Sequence, residues 1–193
     1  MTARKAYAQA FVEMRVEDPE AESALAVARE RLAAGRALAD LRRLRLFELA
    51  GALAGPDVIA ARLHASTQFY NPAKERCRIR TSSADPAPLA ANEALVLVFE
   101  RGGERRPAAE RWWRHQERRR VEIREGVVWV LTAAPGADPA ELAGELAVLR
   151  DRGHGLLANP HVEEHRVCVG EAPPLDWISR RPPAAGRRAR RGS

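Results

Sequence analysis

The chain has 193 residues with a formal net charge of +6, and 30% of its residues are charged. That length allows one domain of about 150 residues or two small ones. No apolar run is long enough to cross a membrane, no secretory signal follows the start, and neither Cys77 nor Cys168 lies in a zinc spacing. The sequence therefore predicts a reduced, soluble, cytoplasmic protein.

The excess positive charge is concentrated at the C-terminal end. Residues 180–193 carry six Arg and no acidic residue, so residues 1–179 have a net charge of zero. A nucleic-acid-binding domain usually carries a basic stripe on its folded surface. Pro, Gly, Ala and Arg cannot supply a core, so we predict a disordered tail that binds polyanions weakly.

The first half of the chain alternates strand and helix patterns. Asp18-Pro19-Glu20 is typical of a helix start, Gly35 of a helix end, and Asn71-Pro72 of a break. The predicted strands are residues 7–16, 41–49 and 76–80, and the predicted helices are residues 21–34 and 58–66. A linker rich in Ser, Ala and Pro follows at residues 82–92.

The second half repeats this order. The predicted strands are residues 95–99, two strands within 121–132, and 164–169. The predicted helices are residues 107–116 and a segment that runs toward Gly153 from a second helix start, Asp138-Pro139-Ala140-Glu141. Glu125-Gly126 predicts a tight hairpin turn, because Gly tolerates positive φ. We interpret each half as a β-α-β-β-α-β unit.

Two short motifs occur in both halves. Residues 71–78 and 159–166, 88 positions apart, both fit Asn-Pro-x-x-Glu-x-x-Arg, and upstream segments 40–47 and 122–129 form a second pair. An internal duplication follows. Glu and Arg, three apart in each motif, are expected to project from opposite faces of a straight strand. The predicted fold is α+β, with two tandem repeats that form a pseudo-dimer. The predicted boundaries are 1–81 for the first repeat, 82–91 for the linker, 92–170 for the second repeat and 171–193 for a C-terminal extension.

These motifs resemble those of the small PurS subunit of phosphoribosylformylglycinamidine synthase (formylglycinamide ribonucleotide amidotransferase). Residues 156–167 read Leu-Leu-Ala-Asn-Pro-His-Val-Glu-Glu-His-Arg-Val, close to the ending of that family, and residues 40–49 and 122–126 resemble its middle segment. The resemblance covers residues 6–81 and 92–169. The chain departs from it at Leu44, where Gly is expected, at Val127, where Lys is expected, and by carrying two fused copies.

The resemblance implies a non-catalytic accessory subunit of purine biosynthesis. Such a subunit bridges an ATP-dependent synthetase subunit and a glutaminase subunit, and these are the partners it implies. Self-association is a further expectation, because the family subunit pairs with itself. No membrane partner is expected. The interface candidates are Arg42, Asn71, Pro72, Glu75, Arg78, Arg124, Gly126, Asn159, Pro160, Glu163 and Arg166.

Other residues that could carry chemistry have simpler structural interpretations. His161 and His165 have a zinc-like spacing, but they span a Pro break and need not converge. Cys77 lacks a neighbouring base. Trp112-Trp113 could stack on nucleobases, although packing is the favoured interpretation. Residues 118–120, all Arg, could bind phosphate, although solvated charge is favoured. The sequence thus predicts no catalytic, cofactor or metal site.

Two alternative functions remain open from the sequence. A PurS-like fold could have left purine synthesis for a ligand-binding or regulatory role, with a small molecule in the seam between the repeats. The Arg-rich tail could instead associate the protein with nucleic acid.

Overall fold

The computed structural model describes residues 5–176, which form six strands and four α-helices in two β-α-β-α-β series. The first series consists of β1 (Ala6–Met14), α1 (Pro19–Arg31), β2 (Leu38–Gly51), α2 (Pro56–His64) and β3 (Glu75–Arg80). The second consists of β4 (Glu93–Glu100), α3 (Pro107–Glu117), β5 (Val121–Ala133), α4 (Pro139–Leu146) and β6 (Glu163–Val169). A short 3-10 helix (Ala33–Ala37) follows α1.

All six strands form one antiparallel sheet in the order β3-β1-β2-β5-β4-β6. In each half the first strand lies between the other two, so the order is mirrored about the central β2–β5 pair. Val12 lies opposite Arg45 in the first half, and Val98 lies opposite Val127 at the equivalent place in the second half. Arg45 and Val127 also lie opposite each other. An approximate twofold axis therefore passes between these two residues.

The helices cover one face of the sheet through two apolar cores. One core combines α1 with α4 over β4 and β5, and the other combines α2 with α3 over β1 and β2. The two cores match position by position: Ala8 with Ala94, Val12 with Val98, Phe47 with Trp129, Ile59 with Leu142, and Phe69 with Leu157. Each core thus takes its first helix from one half and its second helix from the other.

Two helix starts predicted from the sequence are confirmed. The Asp18 carboxylate accepts hydrogen bonds from the N–H groups of Glu20 (2.9 Å) and Ala21 (3.4 Å). The Asp138 carboxylate accepts one from Ala140 at 2.8 Å. In both helices Pro occupies the first turn. Side-chain capping satisfies backbone donors that a helix end leaves without partners, which fixes where α1 and α4 begin.

The predicted β-α-β-β-α-β order and the predicted hairpin at Glu125-Gly126 are wrong, because β5 is one continuous strand. Gly126 lies opposite Leu46 in the β2–β5 ladder. A Cβ atom on Gly126 would come within 2.5 Å of the Phe99 ring. Glycine therefore provides room for a packed ring here, and no turn is formed. The helix predicted to run toward Gly153 ends at Leu146.

The second face of the sheet carries an apolar cluster that no described helix covers. Its members include Phe11, Leu46 and Leu97, each at most 1% exposed. The Pro173 carbonyl accepts a hydrogen bond from Arg80 on the opposite edge strand. The segment that follows β6 therefore reaches a residue of the opposite edge strand, and Leu89 packs against the cluster.

Candidate functional site

The Asn-Pro-x-x-Glu motif forms the same turn in both halves. In the first half the Glu75 carboxylate accepts the Asn71 N–H at 2.6 Å, and the Asn71 side-chain oxygen accepts the Ala73 N–H at 3.1 Å. In the second half Glu163 accepts from Asn159 at 2.6 Å, and Asn159 accepts from the His161 N–H at 3.0 Å. Pro72 and Pro160 each occupy the first position of the turn. The motif thus forms the same turn directly before β3 and directly before β6.

An arginine anchors each turn to the neighbouring strand end. The Arg15 N–H donates to the Lys74 carbonyl and its Nε donates to the Glu75 carbonyl, at 2.8 and 3.2 Å. Arg101 makes the equivalent bonds to Val162 and Glu163, at 2.8 and 3.1 Å. The backbone around the two glutamates is therefore held in the same way in both halves.

The two glutamate carboxylates differ in what they contact. Arg45 donates to the second oxygen of Glu75 at 2.8 Å and to the Phe69 carbonyl at 2.7 Å. At the position equivalent to Arg45 the second half has Val127. Within residues 5–176 no cationic side chain pairs with the carboxylate of Glu163. One half thus holds a guanidinium at this place, and the other presents the equivalent glutamate without one.

The space beside Val127 is a cavity of about 380 Å³ on the helix-bearing face. We call it the seam cavity, because β2 and β5 form its floor. Val98, Val127, Trp129 and Leu157 supply its apolar wall, and Glu100 and Glu163 line it as carboxylates. In the first half the Arg45 guanidinium occupies the equivalent place, where it donates to the Glu75 carboxylate and to the Phe69 carbonyl.

The arginines that line the seam cavity are already paired with carboxylates. Arg43 pairs with Asp18 and Glu20. Arg45 pairs with Glu75 and, at 3.5 Å, with Glu125, which also accepts from Arg106 at 2.6 Å. These positive charges are therefore neutralised locally.

Arg42 joins the two halves on the other face of the sheet. Its guanidinium pairs with Glu13 at 2.8 Å and with Glu93 at 3.0 Å, and the two glutamate side chains are 10% and 11% exposed. Burial alone would raise the pKa of Glu13, but the hydrogen bonds from Arg76 and Arg42 outweigh burial and hold the pKa below its ordinary value. Arg124, at the position equivalent to Arg42, pairs with Glu122 instead.

Arg78 and Arg166 occupy equivalent, exposed places on the two edge strands. Arg78 lies opposite Phe11, and Arg166 lies opposite Leu97. Because side chains alternate along a strand, these arginines project from the face opposite Glu75 and Glu163, as the motif spacing predicts. The interface candidates therefore do not converge on one place: they lie in the turns, at the seam and at the edges.

The remaining candidates belong to packing or to exposed surface. Trp113 is buried, and Trp112 stacks edge-on against Phe69. Burial raises the pKa of the Cys77 thiol to about 12, which keeps the thiol protonated and unreactive. His161 and His165 are exposed, and the described part of the chain contains no group of three side chains able to hold a metal ion.

Residues 118–120 follow α3 and are exposed, and Arg118 adopts a left-handed conformation as the helix ends. The six Arg of the predicted tail, at residues 180–193, lie outside the described residues. None of the helices within residues 5–176 has the length and apolar character that crossing a bilayer requires.

Two residues that line the seam cavity were missed from the sequence. Neither Arg45 nor Trp129 stands out locally, because their roles depend on which strands pair across the seam. The substitution of Val127 for an expected Lys was the one available signal. Comparisons of this chain with protein-family models, curated proteins and solved structures gave no match.

Proposed function

We propose that this protein is a non-catalytic, PurS-like accessory subunit that bridges a synthetase and a glutaminase subunit in phosphoribosylformylglycinamidine synthesis. The observation that carries the proposal is the twice-formed Asn-Pro-x-x-Glu turn. The motif on which the family resemblance rests forms the same hydrogen bonds in both halves, around an approximate twofold axis. That arrangement fits a fused pair of repeats, and the tandem duplication is part of the proposal.

A bridging role is supported by the two edges of the sheet. β3 and β6 each pair with a single neighbour among the described strands, and each carries an exposed arginine at an equivalent place. One chain thus presents two related surfaces, which suits simultaneous contact with two partners. The titratable groups support the same view: the arginines of the seam are tied to carboxylates, and burial raises the pKa of both thiols.

Reconstitution tests this proposal. The chain is mixed with purified synthetase and glutaminase subunits from the same organism, and assembly is followed by sedimentation while glutamine-dependent amidine formation is assayed. We expect a ternary complex and activity that requires the chain. The double variant Arg78→Glu, Arg166→Glu should weaken assembly, whereas Arg152→Glu, an exposed change away from the edges, should not. Full activity without this chain would refute the proposal.

A second candidate function is the binding of a small ligand at the junction of the halves. The seam cavity favours it, because the equivalent place in the first half is occupied by the Arg45 guanidinium.

A further inference from the structure

We propose that the seam cavity binds an alkylguanidinium group, supplied by a free ligand such as arginine or by an arginine side chain of another protein. The inference does not depend on a role in purine synthesis. Its basis is internal to the molecule: the first half already shows how these acceptors bind a guanidinium, and the second half repeats the acceptors.

The first half defines the template. The Arg45 guanidinium donates to the Glu75 carboxylate at 2.8 Å and to the Phe69 carbonyl at 2.7 Å. The equivalent acceptors in the second half are the Glu163 carboxylate and the Leu157 carbonyl, and both residues line the seam cavity. The turn that positions Glu163 matches the Glu75 turn bond for bond. The Glu163 carboxylate is therefore pre-organised by the same turn geometry as the Glu75 carboxylate.

Val127 lies at the position equivalent to Arg45, so the second half has space where the first half has the arginine side chain. Val127 ends before the position that the Arg45 guanidinium occupies in the first half. The resulting cavity of about 380 Å³ lies at the lower end of the usual range for ligand pockets, which suits a ligand of the size of arginine. Val98, Val127 and Leu157 offer apolar contact to an alkyl stem.

The charges of the lining favour a cation. The three lining arginines are paired with carboxylates, as described above. Glu163 and Glu100 have no cationic partner among residues 5–176, and Glu100 stands where the first half has Met14. A guanidinium would complete a charge-assisted hydrogen-bonded pair with Glu163, of the kind that Glu75 already makes. Citrulline has the same shape without the charge and should bind poorly.

Calorimetric titration of the full chain tests the site. The probes are arginine, agmatine, the peptide Gly-Arg-Gly, and citrulline as the neutral control. We expect saturable binding of at least one guanidinium probe below about 10 mM and none of citrulline. Binding by arginine or agmatine identifies a free ligand as the source. Binding confined to Gly-Arg-Gly identifies a protein side chain.

Three variants locate the binding. Glu163→Gln keeps an oxygen for the Asn159 N–H but removes the charge, and it should weaken binding at least about tenfold. Glu164→Gln, on the opposite face of β6, should leave the affinity unchanged. Val127→Arg should fill the cavity with an internal guanidinium and abolish binding. The inference is overturned if no guanidinium probe binds to the wild-type chain, or if Glu163→Gln binds as the wild type does.

Discussion

Replacing Arg42 by Met should destabilise the protein by about 2 kcal/mol. Removing one partner from a buried ion pair costs about 3–5 kcal/mol, because it leaves a buried charge uncompensated. The Arg42 side chain is 32% exposed. Glu13 also keeps Arg76 at 2.9 Å, and Glu93 keeps the Ala90 N–H at 2.8 Å. Partial exposure and these remaining bonds reduce the cost to the lower figure. Met retains an apolar stem, so the loss of stability measures the contribution of the guanidinium group.

The pH dependence of stability provides a second test of the Arg42–Glu13 interaction. The pKa of Glu13 is lowered in the folded protein, so its contribution to stability is present above the ordinary glutamate pKa and is lost as pH falls through the folded pKa. The wild type therefore loses more stability in acid than the variant does. The stability difference between the two proteins should shrink below about pH 4.

Urea denaturation at several pH values measures both effects. Arg78→Met is the matched control, because Arg78 is exposed on an edge strand, and it should change stability by less than about 0.5 kcal/mol. A loss of less than about 0.5 kcal/mol for Arg42→Met would mean that solvent already screens the network. A difference that stays constant into acid would show that Glu13 titrates normally, and the electrostatic account would then fail.

Three further predictions concern packing, reactivity and charge. Gly126→Ala should lower the free energy of unfolding, measured by thermal denaturation, by about 1–3 kcal/mol, because the added Cβ would clash with the Phe99 ring. Gly144→Ala, in the open middle of α4, should leave the stability unchanged or raise it. Equal effects of the two substitutions would contradict the packing argument. Alkylation of Cys77 at pH 8 should be at least about a hundredfold slower in the folded protein than in urea, as followed by mass spectrometry, and fast labelling would refute the raised thiol pKa. Deleting residues 180–193 should remove most of the polyanion binding in a filter assay and shift the melting temperature by less than about 2 °C. Tight binding by the truncated chain at about 150 mM salt would place a basic site on the folded surface.

Local sequence signals predicted where elements begin and less well where they end. The Asp-Pro helix starts were predictable because a cap is formed by adjacent residues. The hairpin at Glu125-Gly126 was wrong because the reason for the glycine is the Phe99 ring, which comes from another strand. The motif spacing also predicted that glutamate and arginine project from opposite faces, since that depends only on strand alternation.

The seam was not predictable from the sequence in the same way. Whether an arginine on β2 reaches Glu75 depends on how both β2 and β3 are aligned with β1, and nothing local sets that alignment. The repeated motif did identify Glu75 and Glu163 as equivalent residues. It could not reveal that only one of them has a guanidinium partner, because that partner lies on a strand about 30 residues away in sequence, at the axis.

The position of Arg45 and Val127 has a consequence for symmetry itself. In a dimer of identical subunits, any residue on the twofold axis meets its own copy, so an arginine there would face an arginine at close range. Covalent connection of the halves removes that restriction, since each side of the axis can carry a different residue. This chain places a cation on one side and a short aliphatic group on the other. A chain of this kind can fill one of two equivalent sites with its own side chain and leave the other site open to a ligand.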